Sequence, residues 1–238
     1  MKITSTSSYL TQLTRFGLIN IYLVREDDGF TLIDTGIGGS APAILAAART
    51  LGAPIQRVVL THAHGDHVGS VDALHTLLPG AELLISARDA RFLTGDKTLD
   101  PGEAQVPLRG GFQRVQAPLT RTLSDGDTVG SLRVVAAPGH TPGHIALFDP
   151  RDRSLIAGDA FQTAGGVAVA GVLRPLFPLP ALATWHLLTA LESACRLLDL
   201  HPSRLAVGHG QMLAKPQEAM RRAITVAEQH VGRVQVQA

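Results

Sequence analysis

The chain has 238 residues, of which 45% are hydrophobic and 17% charged, and its formal net charge is +1 at pH 7. This composition is typical of a folded globular protein and excludes an intrinsically disordered one. The small net charge argues against a nucleic-acid-binding protein that neutralises phosphates, and the single cysteine excludes a disulfide framework within one chain. Chains of this length commonly fold as one unit, so we predict a single domain over residues 1–238.

Strand and helix patterns alternate along the chain from residue 18 onward. Apolar, β-branched runs between turn residues predict strands at 18–24, 30–34, 57–60, 83–86, 132–136, 144–148, 155–157 and 205–207. Helical spacing and capping residues predict helices at 41–51, 68–78, 87–93, 181–200 and 216–231. This mixture predicts an α/β fold of four layers, αββα, in which two mixed β-sheets are flanked by helices.

The strongest chemical signal follows the predicted strand at 57–60. Residues 61–67 read Thr-His-Ala-His-Gly-Asp-His, which places three imidazoles and one carboxylate within six consecutive positions. Neutral imidazole nitrogens and carboxylate oxygens are the ligands that zinc and similar divalent ions accept. Because the run leaves the end of a strand, a rigid scaffold would present these groups to a cleft. The pattern therefore predicts a metal centre.

Three later strands also end in a possible metal ligand. His140 follows the strand at 132–136, Asp159 closes Leu-Ile-Ala-Gly-Asp, and His209 closes Leu-Ala-Val-Gly-His. A glycine precedes each of these residues, and glycine permits tight turns and close approach of the backbone. The repeated plan of a strand followed by a ligand predicts a multidentate site at one edge of a sheet sandwich.

These motifs together resemble the metallo-β-lactamase superfamily of metallohydrolases. The residues that carry the resemblance are His62, His64, Asp66, His67, His140, Asp159 and His209. Asp34 also matches the acidic residue that the family places before its first helix, and the resemblance extends from about residue 17 to residue 210. It implies two divalent metal ions, with zinc favoured and iron or manganese left open.

The resemblance also implies how the ligands are divided. One metal would be held by His62, His64 and His140, and the second by Asp66, His67 and His209. Asp159 would bridge the two ions and hold them at a separation suited to sharing one hydroxide. Asp66 is the candidate catalytic residue, which would orient the hydroxide and move its proton. Asp34 and His144 are expected to orient the ligands rather than to bind metal.

The implied reaction is hydrolysis of a small ester, lactone or thioester, in which a metal-bridging hydroxide attacks the carbonyl carbon. Asp159 argues against β-lactam hydrolysis, because lactamase branches generally lack an aspartate at the bridging position. Gln162 stands where many acyl-homoserine lactonases place a tyrosine, which weakens the lactonase interpretation. Only about one helix follows His209, which disfavours a glutathione thioester. The short chain and its apolar loops nevertheless resemble lactonase-like members most, and we expect a lactonase-like or glyoxalase II-like branch. A mononuclear iron persulfide dioxygenase of the same fold, and a non-catalytic metal-binding protein, remain alternatives.

Two variable loops, near residues 94–121 and 162–184, fit neither strand nor helix. Loops of this length in one domain are often lids, binding loops or subunit contacts. One reading makes them an apolar wall of the metal cleft, and the other makes them a homodimer interface or segments that only pack on the core. Under the first reading, the candidate substrate contacts are Phe161, Gln162, Phe177 and Trp185.

The remaining expectations concern partners and location. We expect a small-molecule substrate, with no nucleic-acid partner and no membrane partner. No stretch approaches the roughly 20 apolar residues that span a bilayer, because the longest apolar region, 167–183, is interrupted by charged residues, glycine and proline. The start of the chain is polar and lacks an apolar signal core, so a cytoplasmic location is expected.

Overall fold

The computed structural model describes residues 1–5 and 7–237, with side chains described as far as residue 232. The strands are β1 (Lys2–Ser5), β2 (Leu10–Arg15), β3 (Ile19–Glu26), β4 (Gly29–Ile33), β5 (Ile55–Val59), β6 (Glu82–Ser86), β7 (Arg121–Leu123), β8 (Thr128–Val129), β9 (Leu132–Ala136), β10 (Ile145–Asp149), β11 (Ser154–Ile156), β12 (Phe161–Gln162), β13 (Ala168–Val169), β14 (Arg204–Ala206) and β15 (Leu213–Ala214). The helices are α1 (Ala41–Thr50), α2 (Gly65–Val68), α3 (Val71–Leu77), α4 (Ala87–Thr94), α5 (Leu179–Ala183), α6 (Leu187–Leu198) and α7 (Gln217–Gln237).

Two mixed sheets form the centre of the part of the chain that the structure describes. The first runs in the order β1-β2-β3-β4-β5-β6-β7, with antiparallel pairs up to β4 and parallel pairs beyond it. The second runs in the order β15-β14-β11-β10-β9-β8, and only its β14–β11 pair is parallel among these strands. The short β12–β13 pair lies outside both sheets.

Apolar side chains pack in three layers around these sheets. The layer between the sheets takes side chains from both of them, including Val59 and Ile156. On the outer face of the first sheet, Ile44 of α1 and Leu74 of α3 are buried. On the outer face of the second sheet, α6 and α7 bury residues such as Leu197. Burial on both faces explains why the strands read as apolar runs, and the layers confirm the predicted α/β fold of two mixed sheets flanked by helices.

The structure corrects two predicted helices. The helix expected at 181–200 is two helices, α5 and α6, separated by residues 184–186. The backbone N–H of Trp185 donates to the carbonyl of His140, and that of His186 donates to the carbonyl of Gly139, so these amides leave the helical ladder. The helix expected at 68–78 is the shorter α3, which begins at Val71, and residue 68 instead ends the preceding helix α2. Contacts distant in sequence override the local periodicity in the first case.

Strands β1 and β2 were not predicted, because their polar residues hide a strand pattern. Strand β2 reads Leu-Thr-Gln-Leu-Thr-Arg and pairs with β3 over six residues. The side chain of Gln12 lies in this strand and is buried, with its amide donating to Asn20. Among the described residues, no helix is long and apolar enough to cross a membrane.

Candidate metal centre

Residues that follow strands of both sheets meet at one edge of the sandwich. Four predicted ligands lie in the loop and the short helix α2 after β5, while the others follow β9, β11 and β14. The structure brings the ligand atoms together in overlapping groups, each within 4.8 Å: His62, His64 and His140; His62, His67 and Asp159; and Asp66, His67 and His209. The seven predicted ligands therefore converge at one place, and two of these groups have the composition that the resemblance implies for the two metals.

Asp159 lies between the two outer groups. One of its oxygens, Oδ2, is 3.4 Å from Nε2 of His140 and 3.3 Å from Nε2 of His209. The other, Oδ1, is 3.5 Å from Nε2 of His67 and has no hydrogen-bond partner although it is buried. Gly208 allows this packing, because a Cβ at that position would lie 2.0 Å from Oδ1 of Asp159. A carboxylate placed in this way suits the predicted bridging role.

Hydrogen bonds to the outer ring nitrogens fix the tautomers of His62, His64 and His140, the histidine group. The hydroxyl of Thr61 donates to Asp34 and so accepts from Nδ1 of His62, which leaves Nε2 of that ring without a proton or a partner. The hydroxyl of Thr184 donates to the carbonyl of Pro180 and so accepts from Nδ1 of His140.

The third ring of the histidine group, His64, donates from Nε2 to the carbonyl of Arg109. Nδ1 of His64 and Nε2 of His140 then face each other at 3.0 Å, and neither neutral ring has a proton left for this contact. A bound cation between them would satisfy both lone pairs.

The second group, Asp66, His67 and His209, is called here the carboxylate group. Nδ1 of His67 donates to Oδ2 of Asp34 over 2.8 Å, and Nδ1 of His209 donates to the carbonyl of Leu18. Both Nε2 atoms therefore point inward, and that of His209 is 3.3 Å from Oδ2 of Asp66. Asp34 thus orients His67 directly and His62 through Thr61, in agreement with its predicted role.

The backbone of Asp34 explains how one carboxylate reaches both rings. Asp34 follows β4 with a left-handed φ of 60°, a conformation that aspartate tolerates better than most residues with a side chain. Its backbone N–H donates to Val59, and its carboxylate also accepts the N–H of Thr61. The turn therefore directs the side chain toward the loop after β5.

The two groups differ in charge. In the histidine group, burial and the neighbouring imidazoles hold the pKa of His62 well below its usual value. Burial also lowers the pKa of His64 and that of His140, although the charge of Asp159 opposes this shift. Burial likewise opposes protonation of His67 and His209, but there the neighbouring carboxylates prevail. Chiefly through Asp159, the pKa of His67 lies well above its usual value and that of His209 rises to about 10. The carboxylate group thus favours positive charge.

The donor set fits a pair of divalent metal ions. Five imidazoles each direct one nitrogen inward, and two carboxylates lie among them. The buried Nε2 atoms of His62 and His67 and Oδ1 of Asp159 have no hydrogen-bond partner among the described residues, which is costly unless a ligand satisfies them. Nitrogen and oxygen donors in this mixture suit zinc, iron or manganese.

His144 lies behind the site rather than among the ligand groups. Its Nε2 accepts the backbone N–H of Asp159 at 3.0 Å, so that nitrogen is unavailable to a metal. Burial lowers the pKa of His144 to about 3, which keeps the ring neutral and able to accept. This placement agrees with the prediction that His144 orients a ligand.

Asp89 and Thr184 are site residues that sequence analysis missed. The buried carboxylate of Asp89, on α4, accepts the N–H groups of Ala63 and Gly143 and the hydroxyl of Thr141. It therefore joins the two loops that carry histidine ligands, and burial raises its pKa to about 6 against these hydrogen bonds. Neither residue belongs to a motif, and their partners lie 26 to 54 residues away in sequence.

The cleft above the ligands has a volume of about 560 Å³. Both variable loops contribute to it, the first through Gly110 and the second through residues 177, 179, 180, 182 and 183. Gly110 is required, because a Cβ there would lie 2.4 Å from Nε2 of His64. Ion pairs from Arg88 and Arg91 anchor the first loop to α4.

Of the four predicted substrate contacts, the structure places only Phe177 at the cleft, with its ring 5.3 Å from that of His209. Phe161 is buried in the core beside α6 and α7. The amide of Gln162 donates to the carbonyls of Ala164 and Phe177, and the indole of Trp185 donates to Val106. The contacts expected for Phe161, Gln162 and Trp185 are therefore corrected to roles in packing and loop anchoring.

Three curated proteins match more than four-fifths of this chain. The relative YobT of Bacillus subtilis (strain 168), an uncharacterized protein, is 48% identical over 211 residues, which cover 88% of this chain and 91% of YobT. The probable metallo-hydrolase YflN of the same organism is 32% identical and covers 81% of each chain. A hydroxyacylglutathione hydrolase of Stenotrophomonas maltophilia is 30% identical; the match covers 81% of this chain but only 64% of that enzyme.

Among solved structures, that of TTHA1623 in a di-iron-bound form is 28% identical to this chain, with a TM-score of 0.65. It covers 89% of this chain, and this chain covers 96% of it. The names of YflN and of the hydroxyacylglutathione hydrolase agree with the prediction that the chain is not a β-lactamase. The family model for the metallo-beta-lactamase superfamily matches residues 14–209, and the chain therefore belongs to that superfamily.

Proposed function

We propose that the protein is a dinuclear metal-dependent hydrolase that cleaves a small ester, lactone or thioester. The observation that carries the proposal is the convergence of five inward-facing imidazole nitrogens and two carboxylates, with Asp159 between the two groups. Two divalent ions held there would supply a hydroxide near neutral pH and would polarise a substrate carbonyl. A non-catalytic protein would not need an open cleft above such a set.

Asp66 is the residue best placed to handle a proton. Its side chain is 37% exposed, whereas those of Asp159 and His209 are 4% and 6% exposed. Burial opposes its ionisation, but His67 and His209 hold the pKa of Asp66 well below its usual range. The ionised carboxylate can therefore accept a hydrogen bond from the attacking water, and a proton that it takes up is readily passed on to the leaving group.

The cleft favours leaving groups that depart without a strong acid. Among its described lining residues, the titratable side chains are those of the ligand set: His64, Asp66, His140, Asp159 and His209. An amine leaving group needs a proton donor, whereas a thiolate or the alkoxide of a strained lactone needs less help. The similarity to a hydroxyacylglutathione hydrolase supports thioester cleavage, and the similarity to a di-iron protein keeps iron beside zinc as a candidate metal.

Metal content per chain, measured together with hydrolysis of an ester, lactone and thioester panel, tests the proposal. We expect two ions per chain and loss of turnover on chelation. Asp159→Ala should lower both the metal content and the rate, because the bridge between the groups is removed. Asp66→Asn should lower the rate more than the metal content, since the amide can still coordinate through oxygen.

The matched control is Asp27→Asn, which changes an exposed aspartate in the β3–β4 turn. It should leave both the metal content and the rate unchanged. One iron per chain with oxygen consumption on a persulfide would replace the hydrolase with a dioxygenase. Full hydrolysis by metal-depleted Asp159→Ala protein would contradict the mechanism itself.

A further inference from the structure

The walls of the metal cleft are apolar, although its floor is polar. Two segments form these walls: residues 16–19 in the turn between β2 and β3, and residues 177–183 around α5. Phe16, Leu179 and Leu182 are 73%, 62% and 59% exposed, so large apolar groups stand open at the mouth. Exposed apolar surface of this kind, continuous with a polar site, is typical of a ligand-binding region.

The backbone at Phe16 strengthens this interpretation. Phe16 and Gly17 have φ values of 52° and 72°, and the N–H of Leu18 donates to the carbonyl of Arg15, as in a type I′ turn. That turn strongly favours Asn-Gly, because both central residues need a left-handed backbone. A phenylalanine at the first position is strained and gains little burial in return. Strain of this kind is often retained where a side chain serves a site.

The lining of the cleft also constrains the charge of its ligand. Among the described lining residues, no side chain outside the ligand set is charged or able to form a hydrogen bond. A carboxylate or phosphate bound against residues 177–183 would lose its hydration without gaining a partner there. The part of the substrate that lies along the walls is therefore uncharged and apolar.

A second cavity gives the substrate a direction. It has a volume of about 510 Å³, shares Leu18 and Phe177 with the metal cleft, and includes the polar side chains of Thr163 and Gln211 in its lining. A substrate whose carbonyl lies at the ligands can place its apolar end in the cleft and its polar end beyond Phe177.

We infer that the apolar cleft binds the acyl chain of the substrate, so that the protein hydrolyses acyl esters or thioesters of medium chain length. This inference rests on the proposed function and deepens it. The acyl chain lies between Phe16 and α5, and the alcohol or thiol leaves toward the second cavity. Burying each further methylene in the cleft strengthens binding by an amount that corresponds to about a fourfold change in kcat/KM.

A chain-length series with one constant leaving group tests the inference. We expect kcat/KM to rise about fourfold per methylene from acetyl through butyryl and hexanoyl, until the cleft is filled. A second series with a constant acetyl group and longer alcohols should show a smaller rise. A flat acyl series, or a steeper alcohol series, would overturn the assignment of the cleft to the acyl chain.

Variants at the rim connect the chain-length preference to named residues. Phe16→Asn should reduce the octanoyl-to-acetyl ratio of kcat/KM by about tenfold, while the melting temperature stays level or rises because asparagine suits the turn. Leu182→Gln should act in the same direction. Leu77→Gln is the matched control, since Leu77 on α3 is 53% exposed but lies outside the cleft lining. Equal losses for acetyl and octanoyl substrates would contradict the inference.

Binding of fatty carboxylates to the zinc-loaded protein separates the inference from the proposed function. Calorimetry should show octanoate binding more tightly than acetate, and Phe16→Asn should reduce this difference by about tenfold. If no ester or thioester is cleaved but this preference is found, the hydrolase proposal fails and the acyl site stands. If substrates are cleaved while acetate and octanoate bind equally, the acyl site fails. A dimer that Leu182→Gln dissociates, with chain-length preference unchanged, would assign the rim to a second copy of the chain.

Discussion

The histidine group and the carboxylate group lie side by side but differ in the charge of their residues and therefore in how each would bind a cation. In the histidine group, burial keeps the rings neutral, and their lone pairs face one another. In the carboxylate group, His67 is surrounded by the carboxylate of Asp66 and by those of Asp34 and Asp159 outside the group, which favour its protonated form. The histidine group is therefore suited to a cation because its rings exclude protons, and the carboxylate group because of its excess negative charge.

The largest expected difference between the halves is in the pH dependence of metal binding. A metal ion in the carboxylate group must displace protons from His67 and His209, whose pKa values are raised, that of His209 to about 10. Its affinity should therefore rise about tenfold per pH unit for each displaced proton between pH 7 and pH 10. The histidine group should show no such rise in this range, because its rings are already neutral.

Competition with a chelator at several pH values measures this difference. His140→Ala, which damages the histidine group, should keep the steep dependence, and His209→Ala should lose most of it. In metal-free protein, raised pKa values stabilise the fold below the unfolded histidine value of about 6.5, and this stability is lost as pH rises toward 10. Equal pH slopes in the two variants would contradict the comparison.

Substitution of the residues that hydrogen-bond to the outer ring nitrogens should lower the metal affinity of one group or of both, with a smaller effect than the change in pH. Asp34→Asn removes a charged acceptor from His67 and disturbs His62 through Thr61, so both halves should weaken. Thr184→Val removes the acceptor of His140 alone, so only the histidine group should weaken. Changes of this kind cost about 10- to 100-fold in metal affinity.

Metal titrations of these variants should be compared with those of Thr76→Val, an exposed helical threonine whose hydroxyl donates to the carbonyl of Asp72. That variant should bind metal as the unchanged protein does. Loss of both ions at once in Thr184→Val would show that the halves are not separable through their outer hydrogen bonds.

The smallest expected effect is at Asp89, which supports both halves through the backbone. Asp89→Asn replaces one accepting carboxylate oxygen with an NH2 group, which faces N–H or O–H donors and cannot accept from them. We therefore expect a loss of about 1–3 kcal/mol in unfolding free energy, or about 3–9 °C in melting temperature. Because burial raises its pKa to about 6, the contribution of Asp89 to stability falls as pH rises from about 4 to 6, and the variant should lose this dependence. An unchanged thermal profile across that pH range would argue against the role of Asp89.

The ligand set could be predicted because each member lies within a short motif at the end of a strand. His62 to His67 occupy six positions, and the glycine before His209 is explained by its approach to Asp159. The layers followed from the alternation of apolar strands and helices. These features depend on residues near one another in sequence, where spacing determines geometry.

What could not be predicted depends on contacts between distant segments. The break between α5 and α6 exists because residues 184–186 bond to the loop that carries His140, and the amphipathic pattern across the break looks continuous. The prediction of substrate contacts failed at Phe161 for a related reason: its side chain is turned into the core beneath the second sheet's helices. Side-chain direction after an irregular turn cannot be read from spacing.

The ligands come from both sheets, and this has a consequence for the lifetime of the protein. His62, His64, Asp66 and His67 extend from the first sheet, whereas His140, Asp159 and His209 extend from the second. A metal pair would therefore link the two sheets of the sandwich. The chain has a single cysteine and cannot form a disulfide within itself, so the metal pair would take the place of such a cross-link. Ligand present at 100 times its dissociation constant stabilises a fold by about 2.7 kcal/mol. Survival against proteolysis would thus follow the supply of metal in the surroundings.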